Sequence, residues 1–184
     1  MRALLEKGLN RHREIGTAKG EDAFMDRKPL VVLMMGSKSD LDTVKKVEDS
    51  LAQFGIDSKS RVASAHKTPG SVLSIVREYE SESKERKIVV IAVVGLSNAL
   101  SGMLAASTAL PVITLPNSEN DHDIFSSLRM PSGVSHMTVL GAENAALAAA
   151  KIFALDDASL AQKISAYQKK VSEKVSTADK ELGN

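Results

Sequence analysis

Residues 88–94 read Ile-Val-Val-Ile-Ala-Val-Val, an unbroken apolar run, mostly β-branched, that stops at Gly95. β-Branched side chains suit a pleated surface. A strand with one wet face would alternate apolar and polar residues, and this one does not. A continuous run is the pattern of a parallel strand covered on both faces by helices. Two further runs of this kind, 30–35 (LVVLMM) and 111–115 (PVITL), and two weaker ones near 59–63 and 136–140, repeat the signal. None approaches the roughly 20 apolar residues that span a bilayer.

The segments between these runs carry helical periodicity. Leu41, Val44, Val47, Leu51 and Phe54 recur at helical spacing over 41–54, with Asp40 placed as N-cap and Gly55 as stop. Over 69–80, Thr68 is placed to cap, Pro69 suits the first turn, and Val72, Leu73, Val76 and Tyr79 form the apolar stripe. The stretch 98–107 is rich in small residues, with Gly102 inside it; 143–155 is Ala-rich enough for another helix to approach closely. A last helix over 157–181 carries Leu160, Ile164, Tyr167, Val171 and Val175 between many charges.

Strand and helix alternate about five times along the chain. That predicts an α/β protein with a five-stranded parallel sheet between two helical layers. The handedness of crossovers leaves the flavodoxin-like strand order as the expected topology at this length. The expected domain runs over 29–184, and its long C-terminal helix, reaching past the sheet, suits an oligomer contact. Residues 1–28 read as a flexible N-terminal extension, charged throughout and without a signal peptide's apolar centre. A short amphipathic helix through Leu4, Leu5 and Leu9 is the other reading of it, and Met25 offers a second start.

Composition narrows the function. A net charge of +1 gives no electrostatic reason to expect nucleic acid or an acidic membrane as partner. Aromatics at 3%, with no Trp, also argue against base-stacking platforms. The absence of Cys removes disulfides, thiolate nucleophiles and zinc–sulfur sites. A cytoplasmic location is expected.

In an open parallel sheet, ligands bind beyond the carboxyl ends of the strands. Three loops there stand out. Gly36-Ser37-Lys38-Ser39-Asp40 follows the first strand and opens a helix, a ready anion site through its backbone N–H groups. It matches neither G-x-x-x-x-G-K-S/T nor G-x-G-x-x-G, so nucleoside triphosphates and dinucleotides lack their motif. Its serines suit a phosphate monoester and Asp40 suits ribose hydroxyls; Ser39 or Asp40 serving only as a helix cap is the plainer alternative. The second loop, Ser64-Ala65-His66-Lys67, offers a hydroxyl, a cation and an imidazole able to exchange a proton near neutral pH. The third, Gly95-Leu96-Ser97-Asn98-Ala99-Leu100-Ser101-Gly102, suits backbone and amide contacts to a planar heterocycle, or is simply a tight turn and cap. Further on, Ser126–Gly133 combines Arg129 with a turn. His12, His122 and His136 show no metal-ligand spacing, and His122 reads as a solvated loop residue.

The set MGSKSD (35–40), SAHKTP (64–69), SNALSG (97–102) and SSLRMPSG (126–133), in this order, resembles PurE, the aminoimidazole ribonucleotide carboxylase family of purine biosynthesis. The likeness runs from about Leu30 into the last helix. It is closest to class II, the carboxylase branch. Lys67 stands where class I enzymes typically have Arg, and SNALSG stands where they have a G-G-A-A-H-L-P-G type loop. The resemblance implies a flavodoxin-like homo-oligomer, an octamer or tetramer, that uses no metal or organic cofactor. It implies His66 as the catalytic proton-transfer group, with Ser37, Ser64 and Lys67 holding a phosphate and Asp40 the ribose. Gly36, Ser39, Ala65, Ser97, Asn98 and Ser101 complete the expected substrate contacts. The implied reaction joins carbon dioxide to 5-aminoimidazole ribonucleotide (AIR), giving carboxyaminoimidazole ribonucleotide (CAIR), reversibly.

Two departures from class II are visible. Leu96 replaces a usual Arg, and 117–123 (NSENDHD) does not match the expected Pro- and Gly-containing loop. Two other readings stand beside the carboxylase. One is the class I mutase reaction, which starts from the exocyclic N-carboxy isomer. The other is a non-catalytic nucleotide-binding homologue, suggested by Leu96. A PurE-like carboxylase of a nicotinate dinucleotide is disfavoured, because that chemistry uses a cysteine.

Overall fold

The computed structural model describes residues 28–117 and 121–183. The N-terminal extension expected over 1–28, with His12, lies outside the described residues except for Lys28. Strands β1 (Leu30–Met35), β2 (Asp57–Val62), β3 (Ile88–Val94), β4 (Val112–Pro116) and β5 (Met137–Thr138) form one parallel sheet in the order β2-β1-β3-β4-β5. This is the flavodoxin-like order. Around it lie α1 (Leu41–Phe54), α2 (Pro69–Glu82), α3 (Leu100–Ser107), α4 (Asp121–Phe125), α5 (Ala142–Phe153) and α6 (Ala158–Glu181).

The central strands β1 and β3 are buried along their whole length. Alternation then divides their side chains between two cores. Val31, Leu33, Met35, Val89, Ile91 and Val93 face α1, α5 and α6, while Leu30, Val32, Met34, Val90, Ala92 and Val94 face α2 and α3. Each fully buried Val, Leu or Ile contributes about 1.5–3 kcal/mol, so these strands anchor the fold. Ala145, Ala146, Ala149 and Ala150 let α5 come close to the rest of the first core. Gly55 ends α1 in the left-handed region (φ 75°), its N–H donating to Ala52 O while Ile56 N–H reaches back to Leu51 O. A side chain would be strained at that φ, which explains the glycine there.

The edges differ from the centre. β2 (DSKSRV) is polar and lies at the sheet margin, where Arg61 bonds Glu78 and the Tyr79 hydroxyl. Charged side chains on an edge strand discourage pairing with another sheet. β5 is two residues long, against a weak run expected over 136–140. Asp121–Phe125 is helical where the sequence suggested a loop around His122. Neither Asp40 nor Thr68 caps its helix through its side chain. No helix among the described residues is long and apolar enough to cross a membrane.

Helix α6 leaves the body of the protein. Leu160 and Ile164 are buried and Tyr167 packs edge-on against Phe54, but beyond that point the helix is exposed, Val175 by 69%.

Register positions the site. Met35, at the end of β1, is level with Val62 of β2 and Val93 of β3, and Val94 is level with Pro116 of β4. Four strands therefore end nearly flush, and their loops open onto one edge.

Candidate active site

A cleft of about 460 Å³ occupies that edge. Of the eleven residues expected from the sequence, ten line it: Gly36, Ser37, Ser39 and Asp40 after β1; Ser64, Ala65, His66 and Lys67 after β2; Ser97 and Asn98 after β3. Ser101 does not line it. It is fully buried in the first turn of α3, and its Oγ has no hydrogen-bond partner among the described residues.

After β1 the backbone turns into a short 3₁₀ segment, Lys38–Asp40, which runs directly into α1. Ser37 caps this turn, its Oγ accepting from Ser39 N–H at 3.3 Å. Ser37 and Ser39 remain exposed. The N-terminal turn of a helical stretch presents unpaired N–H groups and a partial positive charge, which together favour an anion.

After β2 the chain closes on itself through serine and threonine. Thr68 Oγ1 accepts from Ser64 N–H at 3.0 Å, Thr68 N–H donates to Ser64 O at 2.8 Å, and Lys67 N–H donates to Ser64 Oγ at 3.3 Å. Thr68 thus ties the loop rather than capping α2. The tie holds His66 and Lys67 outward, both exposed and neither bonded through its side chain to another described residue. An unpaired cation beside serine hydroxyls can hold a phosphate, and an imidazole there can take or give a proton.

After β3 the polar groups are occupied differently. Asn98 is buried; its Nδ2 donates to Ser127 Oγ at 2.9 Å and its Oδ1 accepts from Ser101 N–H at 3.0 Å, so the side chain tethers the Ser126–Gly133 stretch and the start of α3. Ser126 Oγ accepts from Asn98 N–H at 3.0 Å and lies 3.2 Å from Leu96 O. Leu96 has φ 53° and is 77% exposed at the cleft. A branched side chain in the left-handed region is strained. Val93, Val94 and Leu100 complete an apolar wall on this side. Arg129 is exposed and does not line the cleft.

One polar lining residue was missed: Asn117, directly after β4. Its N–H donates to Val94 O at 2.6 Å, its Oδ1 accepts from Thr43 Oγ1 at 2.6 Å, and its Nδ2 donates to Asp40 Oδ1 at 3.0 Å. No motif marks it. The signal was positional, since the residue after the fourth buried strand must fall on the edge where the other loops converge.

His136 stands apart from the cleft. Its Nδ1 lies 2.9 Å from Thr114 Oγ1, its buried Nε2 has no partner among the described residues, and burial lowers its pKa below the usual 6.5. Among the described residues, no group of three His, Cys, Asp or Glu side chains could hold a metal ion.

The fold and cleft define a flavodoxin-like α/β protein with a strand-edge site able to hold an anion and move a proton. The AIR carboxylase family description matches residues 30–174. The chain is 53% identical over 154 residues to a phosphoribosylaminoimidazole carboxylase of Archaeoglobus fulgidus, covering 82% of this chain and 83% of that one. It is 40% identical to the enzyme of the same name from Treponema denticola, covering 84% and 98% respectively. The crystal structure of Treponema denticola PurE superposes with a TM-score of 0.79 at 39% identity, covering 85% of this chain and all of that one. The chain belongs to the AIR carboxylase family.

Proposed function

We propose that the chain carboxylates AIR with carbon dioxide to give CAIR, reversibly, in de novo purine biosynthesis. The observation that carries this reading is the convergence of Ser37, Asp40, Ser64, His66 and Lys67 from two neighbouring loops into one cleft. Family membership and the two phosphoribosylaminoimidazole carboxylases quoted above support it.

In this reading Lys67 and the hydroxyls of Ser37 and Ser64 hold the 5′-phosphate, assisted by backbone N–H groups of the Gly36–Asp40 turn. Asp40 accepts from the ribose hydroxyls. The base then lies toward Ser97, Asn98 and the apolar wall of Val93, Val94 and Leu100. The amino group of AIR pushes electron density to the ring carbon, which attacks carbon dioxide; the new C–C bond forms as one C=O π pair moves to oxygen. His66 removes the ring proton and aromaticity returns. In reverse, His66 protonates that carbon and the C–C bond breaks to release carbon dioxide. The apolar wall limits hydration where the uncharged gas must sit.

The carboxylase branch is supported by Lys67 and by SNALSG in place of the class I loop. Supplying each substrate separately tests it: turnover of AIR with carbon dioxide, and of CAIR in reverse, is expected. Turnover of the exocyclic N-carboxy isomer alone would establish the mutase. The strained, exposed Leu96 favours a second reading, a nucleotide-binding homologue, for which the expected result is saturable AIR binding with no turnover.

We further propose one domain over 29–184, acting in the cytoplasm as a homo-oligomer, an octamer or tetramer, through the exposed half of α6 with Val171 and Val175. Native mass spectrometry reads the assembly directly.

A further inference from the structure

Asp40 stands at the N-cap position of α1, yet its carboxylate makes no capping bond. Its Oδ1 instead accepts from Asn117 Nδ2 at 3.0 Å, across 77 residues of sequence. Asn117 is itself held at every polar group apart from its own carbonyl: N–H on Val94 O, Oδ1 under the Thr43 hydroxyl, Nδ2 on Asp40. These contacts come from β3, from α1 and from the loop between β1 and α1, so the amide has no room to swing. Its orientation is also fixed electrostatically, because a flipped amide would set its oxygen against the Asp40 carboxylate.

With one oxygen held, Oδ2 of Asp40 is left without a partner among the described residues, at the wall of the cleft. A carboxylate fixed in this way is suited to two adjacent hydroxyls, which need an acceptor of defined direction. A freely rotating carboxylate would accept from either, but at a cost in lost rotamer freedom on each binding event.

We propose that Asn117 is a positioning residue that aims Asp40 at the vicinal diol of the ligand's pentose, and so sets the preference for a ribonucleotide over its deoxy forms, with Thr43 acting through Asn117. This rests on the reading of Asp40 as the ribose contact.

The test is calorimetric binding of 5-aminoimidazole-4-carboxamide ribonucleotide and its 2′-deoxy and 3′-deoxy counterparts to the full chain and to Asn117→Ala and Thr43→Val. The unaltered protein is expected to favour the ribonucleotide. Asn117→Ala is expected to weaken ribonucleotide binding about 10-fold, the loss of roughly one hydrogen bond to a charged group, and to leave the deoxy forms nearly unchanged. Thr43→Val is expected to shift the same ratio by a smaller factor, and it decides the matter alone should thermal melting show that Asn117→Ala does not fold. Equal weakening of all three ligands, or of none, would overturn the role of Asn117 while leaving the proposed function standing. An unaltered protein without preference for the diol would overturn the role of Asp40 and this one with it. Failure to bind any of the three would count against the proposed function itself.

Discussion

The two halves of the cleft are built on opposite principles. On the β1–β2 side, Ser37 and Ser64 bond only within their own loops, and His66 and Lys67 carry no side-chain partner among the described residues. On the β3–β4 side, Asn98, Ser126 and Asn117 bond across elements, to Ser127, Leu96 and Thr43. The first half leaves Ser37, Ser39, His66 and Lys67 exposed for a ligand, Asp40 alone reaching across to Asn117 with one oxygen. The second half uses its polar groups to fix the shape of the wall. The difference teaches that a polar residue in a binding cleft need not be a binding residue: its partners decide.

That contrast can be broken experimentally. Lys67→Met removes an exposed cation from the first half, and ribonucleotide affinity is expected to fall about 10- to 100-fold, as for a lost charge-assisted phosphate contact. Stability should stay within about 0.5 kcal/mol, since the side chain is exposed and bonds no other described residue. Titration and thermal melting of the same sample check both statements, and a large drop in melting temperature would erase the distinction. In the second half, Asn98→Ala leaves Ser127 Oγ and Ser101 N–H without their partner. A loss of about 1–3 kcal/mol is expected, read by denaturant unfolding, and it should exceed any stability loss in Lys67→Met.

The smallest expected effect is on pH dependence. His136, beside Thr114 and away from the cleft, has its pKa lowered by burial. The unfolded chain therefore binds the extra proton first, at its ordinary value near 6.5. The stability this contributes is complete above that value and falls as pH drops toward the lower folded pKa. Melting temperature is expected to decline below about pH 6.5, with a shallower decline in His136→Asn; identical profiles would remove His136 from the account.

How much of this could be read from sequence follows the same division. β1 and β3 were plain because both faces are buried, and burial on both faces writes a continuous apolar run. β2 and β5 were faint because an edge strand takes its hydrogen bonds from one neighbour only and need not be apolar: β2 is DSKSRV, and β5 has two residues. The loops after β1 and β2 were legible because Ser, Lys and His, the residues the proposed phosphate and proton chemistry calls for, stand out after a strand. Asn98 and Ser101 were legible as polar residues, but their hydrogen bonds and burial depend on packing between α3 and the Ser126–Gly133 stretch. Asp40 read both as a helix cap and as a ribose contact, because one carboxylate can serve as a cap, a ligand acceptor or a tertiary acceptor. Only the fold, by bringing Asn117 alongside, shows that its carboxylate bonds there and does not cap α1.

The central claim is that His66 moves the ring proton. The most direct measurement is the rate of carbon dioxide release from CAIR by the intact protein and by His66→Asn, with ligand affinity measured in parallel. The account predicts unchanged affinity within a few-fold and a rate lower by about 10²-fold or more. A His66→Asn protein that decarboxylates CAIR at the full rate would contradict it.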